Sequence, residues 1–432
     1  MHADLENSVT ATNQQPREPT QGRPKVLHIS TTDNLGGSGR SAYRVHTGLR
    51  RLGVQSRMVV GTKVTDDPDV RPIAGSLAPI DRFFGRALGK LSLQYLFYPS
   101  SFWLLRHPWF READVIQLYN THGNYFAHTV LPLLGRHRPI VWRLSDMWPM
   151  TGHCTYSFDC ERWQTGCGSC PILSDPPELY SDRTAMLWRI KRWLYSHSNL
   201  SIVAPSNWIA RLAEQSPLLG RFQTRVIPNG LDTDVFRPLP REEARRILQI
   251  DPAQRVILFS AQSLSDYRKG GALLRPVFEQ LRAEPNLMLL LAGERARDPG
   301  FSEILPTKVI DHVKDDHELA TIYSAADVFV LPTLAENLPN GVLESMACGT
   351  PPITFDVGGC ADAVRHLSTG YLAKYRDVED LARGIRLLLT DESLRTRLAN
   401  ESRRVAVDEY GLELQARRFV ELYESLLTSA LH

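Results

Sequence analysis

Ala335-Glu336-Asn337-Leu338-Pro339-Asn340-Gly341-Val342-Leu343-Glu344-Ser345-Met346-Ala347-Cys348-Gly349-Thr350-Pro351 is the stretch whose reading decides the fold. Before it, Asp327-Val328-Phe329-Val330-Leu331-Pro332 is a buried-strand pattern closed by proline, and Ile353-Thr354-Phe355 after it is another short apolar run. The stretch therefore reads as a strand-to-helix turn of an α/β unit. Pro339 stands at the helix entrance, where a missing N–H costs little, and Gly349 supplies the C-terminal stop. Glu336 falls in the loop beyond the strand and Glu344 on the helix. The N–H groups of Asn337, Leu338, Asn340 and Gly341 cluster at the helix N-terminus, which attracts anionic or polyhydroxyl ligands. Two carboxylates flanking that pole can each accept a pair of sugar hydroxyls. A paired-carboxylate glycosidase is the competing chemistry, although its acids must flank a cleavable bond; the blandest reading leaves both as solvated surface.

The chain has 432 residues, too many for one ordinary core and suited to two domains. Its 43% hydrophobic and 23% charged residues are those of a soluble globular protein. A net charge of +2 gives no support to a nucleic-acid partner. Residues 1–24 are polar and Gln- and Pro-containing, which predicts a disordered tail rather than a secretion signal. No apolar run has membrane-spanning length, so a cytoplasmic protein is expected.

In the first half, Lys25–Ser30 reads as a strand opening into Gly36-Gly37-Ser38-Gly39, followed by a helix and a strand over Val54–Val60. That is a mononucleotide-type unit, in which Gly36 and Gly37 let the backbone approach a phosphate or sugar; plain turn chemistry is the alternative. Strands over Asp114–Leu118 and Pro139–Leu144 lead to His122 and to Ser145-Asp146, which an α/β fold places at its cleft. Asp67-Pro68-Asp69 reads as a surface turn. Between residues 80 and 111, aromatic residues such as Phe83, Phe97 and Trp103 alternate with Arg82, Arg86 and Lys90. This pattern fits either an anionic membrane surface or a core insertion with snorkelling cations. Residues 185–195 form a second basic, aromatic helix, read as packed on the sheet.

Cys154, Cys160, Cys167 and Cys170 crowd one segment, 152–171. Gly166-Cys167-Gly168-Ser169-Cys170 has the form of a metal knuckle, so a structural zinc held by all four is the leading expectation. A disulfide or free thiols, and an iron–sulfur cluster, are the alternatives.

Ile227-Pro228-Asn229-Gly230 to Pro238 has turn formers at both ends and separates the halves. The expected boundaries are an N-terminal domain over 25–232, a second domain over 233–408 and a final helix over 409–432. Early in the second half, Asp266-Tyr267-Arg268-Lys269-Gly270-Gly271 follows a strand; two cations and two glycines there make a diphosphate clamp. A solvated basic turn is the alternative.

The two glutamates, with Ser-Met-Ala-Cys-Gly-Thr-Pro after them, resemble the signature of the retaining glycosyltransferases of family 4, and Asn-Leu-Pro-Asn-Gly resembles their colanic-acid and exopolysaccharide branch. The cysteine pattern resembles that branch as well. The resemblance implies a GT-B fold, two doubly wound Rossmann-like domains facing across a cleft, with the last helix crossing back to the first domain. It implies transfer of a sugar from a nucleotide diphosphate sugar, UDP- or GDP-linked, to a hydroxyl of a glycan or lipid-linked acceptor. The enzyme would work at the inner face of the membrane, without a cofactor for catalysis. Arg268, Lys269, Glu336 and His122 would act on the reacting sugar and diphosphate. Gly36, Gly37, Thr333, Asn337, Leu338, Pro339, Asn340 and Glu344 would hold the donor, Glu344 at the ribose, and Asp146 would orient the acceptor. Ser145 stands where the branch has histidine, and Gln262 where the family has arginine; Arg268 is expected to supply that charge. An epimerase or phosphorylase on the same fold, or a non-catalytic assembly partner, are the other readings.

Overall fold

Two parallel sheets carry the molecule, as the near-continuous apolar runs require, because a parallel strand is covered by helices on both faces. The computed structural model describes residues 22–260, 266–293, 297–313 and 315–429; most of the polar tail and Gln262 lie outside them. The first sheet holds β1 (Val26–Thr32), β2 (Ser56–Thr62), β3 (Val70–Pro72), β4 (Val115–Leu118), β5 (Ile140–Arg143), β6 (Leu200–Ala204) and β7 (Thr224–Val226). Their order is β3-β2-β1-β4-β5-β6-β7. The second sheet holds β8 (Arg255–Ser260), β9 (Leu287–Gly293), β10 (Thr307–Asp311), β11 (Val328–Leu331), β12 (Pro352–Phe355) and β13 (Tyr371–Ala373), ordered β10-β9-β8-β11-β12-β13. Both are doubly wound, with Val26 of β1 in register with Ser56 on one side and Val115 on the other.

The strand order reverses at β1 in one sheet and at β8 in the other. The loops leaving the C-terminal ends of β1 and β4, and of β8 and β11, therefore open the two crevices where ligands bind such folds. One core fills the second domain around Phe259, Leu290 and Phe329. The first domain has two: Trp142, Trp148 and Tyr195 on one face of its sheet, and Val45, Leu49, Val141 and Val203 on the other. The second of these is completed by Ala416, Phe419, Leu422 and Tyr423 from the last helix, Leu412–Ser429, which crosses back as expected.

Several local expectations change. β3 is too short to have been visible as a pattern. Asp67-Pro68-Asp69 is a turn with Pro68 exposed, but the Asp67 carboxylate is nearly buried and takes bonds from Arg50 at 2.9 Å and the Tyr43 hydroxyl at 3.2 Å. The aromatic stretch divides, with Tyr95, Tyr98, Trp109 and Phe110 in the interior and Phe83 and Trp103 outside.

Candidate functional site

The donor-side wall is built from the loops after β8 and β11. Arg268 and Lys269 lie in a short 3₁₀ turn, Tyr267–Lys269, capped by the Asp266 side chain. Gly270 follows with φ 70°, and a Cβ on it would lie 1.8 Å from the Pro332 carbonyl oxygen. Only glycine fits there, and its fit seats the clamp loop directly on the β11 loop. Both cations then reach one carboxylate: Arg268 Nη1 is 2.7 Å and Lys269 Nζ 2.8 Å from Glu336 Oε2. Burial alone would raise the Glu336 pKa; Lys269 and Arg268 outweigh it and hold it down to about 2. Arg268 is in turn held up by Glu336 against the cost of its own burial.

The facing wall comes from the loops after β4 and β5. His122 Nε2 and Asp146 Oδ2 are 3.0 Å apart, and Asp146 Oδ1 accepts the Trp148 N–H at 2.9 Å. These two residues from separate loops thus form one hydrogen-bonded pair. Ser145, at the place of the branch histidine, pairs its hydroxyl with that of Ser38 at 2.8 Å.

The helix after β11 runs Asn340–Ala347 with Pro339 at its N-cap. Its Glu344 is buried and meets an unforeseen partner: Arg44, from the Gly36–Arg51 helix of the other domain, lies 2.8 Å away. Burial would lower the Arg44 pKa, but Glu344 and Asp316 outweigh it and hold it up. The Tyr323 hydroxyl also donates to Glu344 at 3.3 Å.

Other expected donor residues do different work. Gly36 and Gly37 form the first turn of their helix, and the Gly37 carbonyl accepts from Asn340 Nδ2 at 3.0 Å. Asn337 donates across the cleft to the carbonyls of Leu144 and Ser145 at 3.0 and 3.1 Å, and Ser206 donates to its Oδ1 at 2.7 Å. Asn229 Nδ2 donates to the Leu338 carbonyl at 3.0 Å. These side chains staple the domains together. The Thr333 side chain does not face the cleft, which corrects that expectation; the Leu338 side chain does not either, but the expectation there concerned its backbone N–H. Thr333 is buried and donates its hydroxyl to the Arg268 and Ala335 carbonyls, while Leu338 packs into the second-domain core. The Gly358-Gly359 loop makes its close approach to the backbone of Glu336 and Asn337, 1.9 and 1.7 Å from where Cβ atoms would lie.

Sequence reasoning missed Arg44, Arg143, Tyr156 and Asn229. Only Arg143 left a signal, a cation in the otherwise apolar run Ile140-Val141-Trp142-Arg143-Leu144; it is buried and donates to Asn229 Oδ1.

The four clustered cysteines line one small cavity of about 20 Å³ together with His153 and Trp163. The Gly152 N–H donates to Cys167 Sγ at 3.2 Å, and His153 Nε2 is 3.4 Å from Cys170 Sγ. Among the described residues, no group of three His, Cys, Asp or Glu side chains is placed to hold a metal ion. Lys191 is buried beside them, its Nζ donating to the Trp148 and Thr151 carbonyls.

With this geometry in view, comparison with known proteins gives a consistent result. Residues 35–235 match the family model described as Glycosyltransferase Family 4, and residues 240–405 match that of Glycosyl transferases group 1. An N,N'-diacetylbacillosaminyl-diphospho-undecaprenol alpha-1,3-N-acetylgalactosaminyltransferase of Campylobacter jejuni is 29% identical over 205 residues, covering 46% of this chain and 53% of that one. An Escherichia coli protein described as a glycosyl transferase of colanic acid biosynthesis is 25% identical over 301 residues, covering 67% of this chain and 70% of its own. A D-inositol 3-phosphate glycosyltransferase of Rhodococcus erythropolis is 30% identical over 227 residues, covering 48% and 50%. The chain thus spans about half the length of two of these three relatives. Sucrose-phosphate synthase from Thermosynechococcus elongatus has the same fold, with a TM-score of 0.65 at 19% identity over 94% of this chain and 100% of that one. Anabaena HepE, solved with UDP and glucose, gives 0.63 at 16% identity over 93% and 100%.

Proposed function

We propose that this chain, which belongs to the family 4 and group 1 glycosyltransferases, transfers a glycosyl group from a nucleotide diphosphate sugar to an acceptor hydroxyl with retention at the anomeric carbon. The observation that carries the reading is the convergence of Arg268, Lys269 and Glu336 opposite the His122–Asp146 pair. In the reaction the bond from the anomeric carbon to the diphosphate oxygen breaks. A bond to the acceptor oxygen forms on the same face, and the acceptor proton passes to the leaving phosphate. Charge develops on that phosphate, so two fixed cations stabilise the transition state more than the ground state. Glu336 holds both cations in place before the donor arrives. Glu344 is the proposed partner of the ribose hydroxyls, which would have to replace Arg44 at its buried carboxylate, and His122, oriented by Asp146, lies against the sugar.

The acceptor side of the proposal is a glycan or lipid-linked hydroxyl at the inner face of the cytoplasmic membrane. Among the described residues no helix is long and apolar enough to cross a membrane. The Ala78–Lys90 helix instead exposes Ile80 and Phe83, and Phe83 shares an open groove with Arg82, Arg86 and Lys90. That is the composition of a surface-lying helix on anionic lipid. Structural zinc at Cys154, Cys160, Cys167 and Cys170 is part of the same proposal; their shared cavity supports it, although the side chains as placed do not form a ligand set, and no catalytic step passes through it.

The test is thermal shift with UDP, GDP and their sugar conjugates, followed by transfer to an acceptor. One nucleotide series is expected to raise the melting temperature, by about 2.7 kcal/mol of stabilisation at a hundredfold excess over Kd. Lys269→Ala is expected to slow transfer by about 10²-fold or more. Full activity in Lys269→Ala would refute the assignment, and donor turnover without an acceptor would favour an epimerase.

A further inference from the structure

Between Cys154 and Cys160 the chain reads Thr155-Tyr156-Ser157-Phe158-Asp159, and this loop leaves the first domain to touch the second at three points. The Tyr156 ring lies under Arg268, whose guanidinium carbon is 5.3 Å from the ring centroid. Phe158, held at φ 47°, meets Tyr267 edge-on at 6.4 Å. Asp159 lies 3.8 Å from Arg376. The last contact is exposed and contributes little. The first is buried, with Tyr156 8% exposed and backed by Trp208 in a stacked arrangement at 6.3 Å.

The same loop is anchored on the acceptor side. The Met147 N–H donates to the Thr155 carbonyl at 2.8 Å, one residue beyond Asp146, and the Thr151 hydroxyl donates to the Cys154 carbonyl at 2.6 Å. The charges of Glu336, Arg268 and Asp146 all act on the Tyr156 hydroxyl. The loop therefore joins the cationic turn, through the Tyr156 ring, to the loop carrying the acceptor-side aspartate. The backbone of Arg268 is already fixed by Thr333 and Leu334, which both donate to its carbonyl. The edge of the Arg268 guanidinium is bonded to Glu336, the Ala335 carbonyl and Asp266, and its face is covered by Tyr156.

We propose that Tyr156 is a positioning residue for the diphosphate clamp, holding the Arg268 guanidinium in its plane so that the site selects nucleoside diphosphates over monophosphates. The proposal rests on the reading of Arg268 as part of that clamp. It goes further in assigning the cysteine-rich segment a part in donor recognition: the segment carries the loop that aims Arg268.

The experiment measures calorimetric affinities of UDP, GDP, UMP and GMP for the full chain and for Tyr156→Phe, Tyr156→Leu and Tyr156→Met. Tyr156→Phe keeps the ring face and is expected to bind like the parent within about threefold. Tyr156→Leu and Tyr156→Met lose it and are expected to bind the diphosphate roughly five- to thirtyfold more weakly, with little change for the monophosphate. Two aliphatic replacements of different shape guard against one failing to fold. In an Arg268→Ala background the Tyr156→Leu loss is expected to vanish, because the two residues act as a unit. Equal loss for mono- and diphosphate, no loss at all, or an undiminished loss without Arg268 would each overturn the proposal. If the parent chain binds neither diphosphate, it is the donor reading itself that falls, and the positioning role falls with it.

Discussion

Replacing Arg44 by methionine keeps most of the side-chain volume and removes the only cation within reach of Glu344 among the described residues. The two side chains are 10% and 4% exposed and 2.8 Å apart. Removing one partner from so buried a pair costs about 3–5 kcal/mol, because a carboxylate is left without water or counter-charge. The Tyr323 hydroxyl at 3.3 Å offsets part of that. A second outlet exists, since the pair spans two domains and opening the cleft would hydrate Glu344. Opening breaks the several cross-cleft bonds of Asn229, Asn337 and Asn340 and those from Asn207 to Asp362, at about 1 kcal/mol each. Staying closed is thus the cheaper route, and Arg44→Met is expected to show a lower melting temperature, by on the order of 10 °C, with the radius of gyration by small-angle scattering unchanged. Glu344→Gln in the same background should restore most of the loss, because no ionised carboxylate remains buried. The reasoning is refuted if Arg44→Met melts like the parent, or if the double variant is as unstable as the sum of the singles.

Three further outcomes are expected. The Glu336 carboxylate has its pKa held down to about 2, so its contribution to stability is complete above its unfolded value, near pH 4.5, and is lost as the pH falls towards 2. Urea midpoints between pH 5 and 2.5 should therefore fall more steeply in the parent than in Glu336→Gln, and parallel slopes would contradict the pairing. If zinc occupies the cysteine cavity, protein purified without chelators will hold one equivalent by elemental analysis, and Cys160, Cys167 and Cys170 will react with a thiol reagent only after chelation. Fast reaction of those three partly exposed thiols in metal-free protein of unchanged stability would exclude it. Vesicles containing anionic lipid are expected to retain the protein at low salt and release it at high salt, with retention reduced in Phe83→Ser and Arg86→Glu; equal recovery with neutral vesicles would count against the surface-helix reading.

The strands and the cleft-facing loops were legible because buried parallel strands leave short apolar runs and their loops begin where those runs stop. Glu336, Arg268 and Lys269 fell together on that basis, and so did His122 and Asp146. Side-chain direction within a loop was not legible. The Thr333 and Leu338 side chains sit two or three residues from Ala335 and Glu336 and yet point inward, since a loop has no periodicity to separate its two sides. Arg44 was invisible for a different reason. Its partner lies 300 positions away, and nothing in an amphipathic helix marks which of its cations will cross a domain interface. Tyr156 carries no signal of its own, because a single aromatic residue between Cys154 and Cys160 has no spacing or pattern that ties it to a loop of the other domain.

The crossing of the last helix onto the first domain bears on how the protein is made. Phe419 and Tyr423 fill the face of the first sheet beneath Val141 and Val203, and the Tyr423 hydroxyl donates to Gln117 Oε1 at 3.0 Å. Gly48 lies close enough to the helix that a Cβ on it would come within 3.2 Å of Ala416. During synthesis, the part of this face that the Gly36–Arg51 helix does not cover waits for its partner while the whole second domain is translated. A ribosome adding about 5–20 residues each second needs roughly ten seconds or more for that stretch. For that interval the nascent chain carries a partly uncovered valine-rich sheet face, and a chaperone able to cover it would act after the first domain emerges and before the last helix does.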